Sequence, residues 1–178
     1  VGSAVAGALA GKDIVKISEV YQNVVSVEEK KQMVEDGAGG LVERNIKKPV
    51  WVLPVASANT PMTSAFHEAN RIVNEFVSHN PNCYPPTVIN ITDGESTDGD
   101  PTSEMTSLRN ISVNDGNVLL YNVHVAPVEV NNKIKFISDE IGLPSDSARM
   151  LFRNSSTLPD SSIIALRERE PGITSGAK

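Results

Sequence analysis

Cysteine is nearly absent from this sequence. The single thiol, Cys83, excludes an internal disulfide and any zinc site built on several thiolates. Aromatics are also scarce: four Phe, three Tyr and one Trp in 178 residues cannot build a platform for stacking single-stranded bases. Positive charge is in deficit, with 16 Lys and Arg against 22 Asp and Glu and a net charge of −6. A general nucleic-acid binder rests on phosphate neutralisation, so that partner class is excluded, and an anionic membrane surface is disfavoured on the same ground. No run reaches the roughly 18–20 apolar residues of a transmembrane helix. The apolar opening Val1–Gly11 is short and has no basic leader, so it does not read as a signal peptide. Its Gly7 and Gly11 read as a small-residue strand or loop. Also missing are the Gly-x-Ser-x-Gly elbow of α/β-hydrolases and any phosphate-cradling glycine loop after a strand. No pair of the three histidines has metal-ligand spacing with a third ligand.

What is present is an ordinary globular composition, 39% apolar and 21% charged, in a length that suits one domain. Pro49–Val55 is an apolar run punctuated by prolines and reads as a buried strand. Ala56–Thr60 follows as a loop, with Thr60 placed as a natural N-cap and Pro61 in the first turn of a helix. From Met62 to Ser78 the apolar residues recur every three or four positions, which predicts one amphipathic helix. Thr87–Thr92, rich in β-branched residues, reads as a second buried strand. It runs into the acidic loop Asp93–Asp100. Ser103–Ile111 is expected to be a helix with Met105, Leu108 and Ile111 inward, Asn114–Asn117 a turn, and Val118–Val125 a third strand. A short strand near Ile134–Ile137, a helix over Ser145–Arg153 and another over Ile163–Glu170 complete the pattern. Strand, helix, strand, helix, strand at this spacing predicts βαβ crossovers and a mostly parallel α/β sheet. In the first fifty residues, Ile14–Ile17 reads as a strand, Val27–Glu35 carries charge at helical spacing, and Asp36–Gly40 is a turn. His67 flanks the apolar face of the long helix, His79 lies near its end, and His124 lies in the third strand.

In an open parallel sheet, function gathers where strands end at their carboxyl edge. Two loops leave strands there and offer a hydroxyl, Thr60, and a carboxylate, Asp93. Oxygen donors without thiolates or clustered imidazoles suit the hard cations Mg²⁺, Mn²⁺ or Ca²⁺. The competing reading makes Thr60 only a helix cap and Asp93 only a turn residue.

Asn59-Thr60-Pro61-Met62-Thr63, the amphipathic helix after it, and Val88-Ile89-Asn90-Ile91-Thr92-Asp93-Gly94-Glu95 together resemble the second half of a von Willebrand factor type A domain. Val1–Gly11 and Asp36–Val42 are similar to bacterial members in which an insertion precedes the Thr-Pro strand. The resemblance implies a three-layer, doubly wound, mostly parallel α/β sheet with a metal-ion-dependent adhesion site at one edge. It implies residues 1–170 as a partial domain (1–48 insertion-like, 49–154 core) and 171–178 as a polar tail. That site takes an Asp-x-Ser-x-Ser loop, a Thr from a Thr-Pro loop and an Asp from a Thr-Asp-Gly loop. Thr60 matches the second element and Asp93 the third, while no Asp-x-Ser-x-Ser occurs in the sequence. The resemblance therefore puts the family's first strand, helix and metal loop upstream of Val1, and leaves two ligands, too few for useful affinity, so that Mg²⁺, Mn²⁺ or Ca²⁺ is bound weakly or not at all unless Glu95, Asp98 or Asp100 compensates.

The function implied is protein–protein interaction without bond-making: a partner's Asp or Glu carboxylate fills the open position on the cation. The alternatives are a metal-assisted hydrolase working through Asp93–Asp100, and a metal-independent structural module. Unpaired sheet edges would favour self-association. The lone cysteine points to the cytoplasm.

Overall fold

The computed structural model describes residues 9–53, 59–125 and 135–178. It is a mixed α/β structure with three two-stranded sheets among the described residues, one of them parallel. Two compact units are present, Val1–Ala58 and Asn59–Lys178.

In the first unit a short helix, α1 (Ile17–Gln22), precedes an antiparallel hairpin of β1 (Ser26–Glu35) and β2 (Leu41–Val50). The strand expected at Ile14–Ile17 does not form: Ile14–Lys16 are irregular and Ile17 begins α1. Here Glu19 Oε2 accepts from the Lys16 backbone N–H at 2.9 Å, satisfying a donor at the helix entrance. The charges of Val27–Glu35 lie on a strand and not on a helix. Their spacing is met across the hairpin: Glu28 stands opposite Lys48 and Glu29 opposite Lys47, and Lys31 Nζ reaches Glu43 Oε2 at 3.1 Å. The turn fixes that register. Asp36 N–H donates to Gly40 O at 2.9 Å, and Asp36 Oδ1 accepts from the N–H groups of Ala38 and Gly40. Those donors hold the Asp36 carboxyl below its usual range.

The expected buried strand over Pro49–Val55 is likewise corrected. Pro49 and Val50 end β2, Trp51–Leu53 are unpaired, and Val52 and Leu53 are exposed; Pro54 and Val55 lie outside the described residues. The hairpin turn sets the pairing, and the ladder runs out at Val50.

The second unit contains α2 (Met62–His79), β3 (Thr87–Thr92), α3 (Thr102–Asn110), a two-residue-per-strand hairpin of β4 (Ser112–Val113) and β5 (Gly116–Asn117), β6 (Leu119–His124), α4 (Asp146–Arg153) and α5 (Asp160–Leu166). β3 and β6 pair in parallel, with α3 between them in the chain, so the second of the two βαβ crossovers read from the sequence is present; among the described residues no strand before α2 pairs with β3, so the first is not. The core packs Met62, Phe66 and Val73 of α2 with Met105 and Leu108 of α3, Val118 and Leu120 beside and within β6, and Leu151 of α4. Ile111 packs against this cluster, as its helical spacing predicts.

Among the described residues, the parallel sheet packs against the core on one face and leaves the other exposed. Val88 joins the core and Leu120, its partner across the ladder, is fully buried, whereas Ile89 and Ile91 of β3 are 63% and 68% exposed. The reading of Thr87–Thr92 as a buried strand is therefore half right, because alternate residues face opposite sides of a sheet. Asn90 and Asn122 sit on the covered side as a bonded pair. Asn90 Nδ2 donates to Asn122 Oδ1, and Asn122 Nδ2 donates to Leu151 O and Ser155 Oγ, tying both strands to α4.

Ser145 caps α4, its Oγ accepting from Ala148 N–H at 3.0 Å. Lys135–Ile137 form no strand, and Ile134 lies outside the described residues. α5 begins at Asp160 and ends at Leu166, a turn earlier than its apolar spacing suggests. The polar tail is not loose: Ile173 and Ala177 are buried in a second cluster with Ile163, Phe136, Leu158 and Leu166. Ala177 O accepts from Leu158 N–H, and Lys178 N–H donates to Ile137 O.

Candidate functional site

Thr92 ends β3, and its Oγ1 accepts from Gly94 N–H at 3.1 Å, turning the chain out of the sheet. Gly94 is required at that turn. Its φ is +94°, and a Cβ placed there would come within 2.8 Å of Ser147 Cβ. The turn leaves Asp93 exposed. Its backbone carbonyl accepts a hydrogen bond from His124 Nε2 at 2.8 Å, so the imidazole at the end of β6 carries its proton on that nitrogen. The Asp93 side chain accepts one long bond, 3.4 Å from Glu95 N–H, and otherwise faces solvent.

Thr60 is also exposed, but it is not the cap of α2. Pro61 occupies the N-cap position and has no side-chain acceptor to offer. The acceptor comes from the acidic loop. Asp98 Oδ1 takes the N–H of Thr63 at 2.9 Å, while Oδ2 takes the N–H of Ser64 at 2.8 Å and its Oγ–H at 2.7 Å. Ser96 Oγ–H adds a fourth bond at 3.0 Å. Desolvation works to raise the Asp98 carboxyl, but the four donors outweigh it and hold the group far below the ordinary carboxylate range. A second link runs through the backbone, Thr97 N–H donating to Thr60 O at 3.0 Å. Asp100 then serves the next helix, accepting from Thr102 N–H at 3.0 Å, and Thr102 keeps its carboxyl low.

The Thr60 loop and the Asp93–Asp100 loop are thus bonded to each other. Both bear an exposed oxygen donor of the kind a hard cation takes. Asp98 is not a spare ligand, since four donors already use the lone pairs of its two oxygens. Among the described residues no group of three or more His, Cys, Asp or Glu gathers as a metal cage. An open cleft of about 290 Å³ lies alongside, lined by Thr63, Ser64, His67, Asp98 and Glu104. His67 Nδ1 stands 3.8 Å from Glu104 Oε2 at its rim. His79 closes the far end of α2 on Glu75 O.

Sequence reasoning placed Asp98 in the acidic loop without its role as cap. The available signal was Pro61, a helix start with no acceptor of its own, which obliges the fold to find one elsewhere. The contribution of His124 had no sequence signal, because it depends on the parallel register that sets Thr92 opposite His124. No family model, curated protein or solved structure matches the chain. No helix among the described residues is long and apolar enough to cross a membrane.

Proposed function

We propose that the chain is a protein-interaction module of the von Willebrand factor type A kind, in which Thr60 and Asp93 contribute to a divalent-cation site that engages a partner's Asp or Glu carboxylate. The observation that carries the reading is the bond between the two motif-bearing loops, Thr97 N–H to Thr60 O, which holds the Thr-Pro and Thr-Asp-Gly segments together beyond the end of β3. The donors fit the cation in kind: a hydroxyl and a carboxylate, both exposed, one with most of its acceptor capacity unused. They supply two positions, and water, a partner or a further loop supplies the others. A bound Mg²⁺ would accept one more carboxylate and so convert this edge into an acceptor for an acidic side chain. The protein's own part is to present the two oxygens and to select the partner by its surface. The carboxylates of Glu95, Asp98 and Asp100 would turn away partners with surplus negative charge.

The fold we infer for this function is three-layered and doubly wound. The parallel crossover β3–α3–β6 supports it, as does the bare Ile89 and Ile91 face, since parallel sheets are ordinarily covered on both sides.

Electron paramagnetic resonance of free Mn²⁺ tests the proposal. The expected result is binding with Kd on the order of 0.1–1 mM, in line with sparsely liganded sites. It should be lost in Asp93→Asn and weakened in Thr60→Ala. Equal Mn²⁺ uptake by wild type and Asp93→Asn would refute it.

A further inference from the structure

The strongest contact at this edge belongs to neither proposed ligand. Asp98 lies five residues after Asp93, and its bonding partners Thr63 and Ser64 lie three and four residues after Thr60. Its carboxylate spans the gap between the two segments with three bonds to the start of α2, while Ser96 braces it from within its own loop. α2 is an 18-residue helix whose first-turn N–H groups find no acceptor on Pro61. A carboxylate satisfies them doubly, by accepting their hydrogen bonds and by complementing the positive end of the helix dipole. The anchored partner is rigid, because α2 is itself pinned by Met62, Phe66 and Val73 in the core. The Asp93–Asp100 loop therefore cannot swing away from the start of α2 without stripping three bonds from a charged group, the costliest kind to leave unmet.

We propose that Asp98 is a positioning residue, a latch that fixes the Asp93 loop to the start of α2 and so holds Asp93 and Thr60 as one pre-formed half-site. The inference rests on the cation-site reading above and adds the residue that would organise it. Asp98 would not touch the cation. Its contribution is to remove the ordering cost that two independent loops would otherwise meet on binding. The charge matters as well as the shape: an amide in its place accepts through one oxygen only and leaves a donor facing donors.

The test uses the full chain and the variants Asp98→Ala, Asp98→Asn and Ser64→Ala, with Mn²⁺ as the probe and amide hydrogen exchange as a second readout. In Asp98→Ala, exchange at the Thr63, Ser64 and Thr97 amides is expected to rise about tenfold or more, while the β3 and β6 amides keep their protection. Mn²⁺ binding should weaken by about tenfold. Asp98→Asn should recover only part of both, and Ser64→Ala, which keeps the backbone donors, should show the same changes on a smaller scale. If Asp98→Ala fails to fold, Ser64→Ala carries the test alone. Faster exchange with Mn²⁺ affinity unchanged would reduce Asp98 to a helix cap and overturn the proposal, as would exchange rising uniformly through the core. A wild-type chain that takes up no Mn²⁺ overturns the cation-site reading itself, and with it any positioning role, whatever the exchange shows.

Discussion

Gly94 carries the tightest steric condition at the candidate site. Its φ of +94° is disfavoured for any side chain, and the space a methyl would need is already held by Ser147 and the His124 ring. Gly94→Ala is expected to destabilise the chain by about 1–3 kcal/mol in urea titration, with an unchanged m-value. A substitution without effect would mean that the turn relaxes freely. The carboxylates give a second expectation. Asp36 is held low by the Ala38 and Gly40 N–H groups, Glu140 by Arg153, and Asp98 by its donors against the opposing pull of desolvation. A carboxyl whose folded value lies below its unfolded one contributes stability above the unfolded value and loses it as pH falls. The unfolded chain then takes up protons that the folded chain refuses. Thermal stability should thus be level near neutrality and decline below about pH 4, the ordinary carboxyl range. Stability that rose on acidification through this window would contradict the hydrogen bonds described for these groups.

At the scale of elements, the two units differ in what wrote them. In the second, α2, α3, β6 and α4 lie within a residue or two of where apolar period and caps put them, because each buries one side in a shared core. Ser145, read from the sequence only as the start of that helix, is its N-cap. Its replacement by Ala should cost about 1 kcal/mol by chemical denaturation. The β1–β2 hairpin was not legible. Nearly every residue of it is exposed, so no burial pattern distinguishes strand from helix, and its charges make sense only once the Asp36 turn sets Glu28 against Lys48. The candidate site was half legible. Thr60 and Asp93 follow from motif and strand end, whereas Asp98 on α2 and His124 on Asp93 are contacts between segments about thirty residues apart, which no local pattern encodes.

At the scale of the molecule, among the described residues the parallel pair β3–β6 has one exposed apolar face and no third strand beside it. An uncharged strand of Thr-Val-Ile-Asn-Ile-Thr at an open edge invites a second chain. Sedimentation velocity should show association that rises with concentration and is suppressed by Ile91→Lys. A monomer at all concentrations would show that this face is satisfied otherwise. The central claim, that Thr60 and Asp93 form one cation-binding edge, is tested most directly by amide spectra of the ¹⁵N-labelled chain during Mn²⁺ addition. The prediction is that the Thr60 and Asp93 signals broaden together, before the remainder of the spectrum and at the same Mn²⁺ concentration. Broadening that starts elsewhere, or that reaches one of the two loops and not the other, would contradict it.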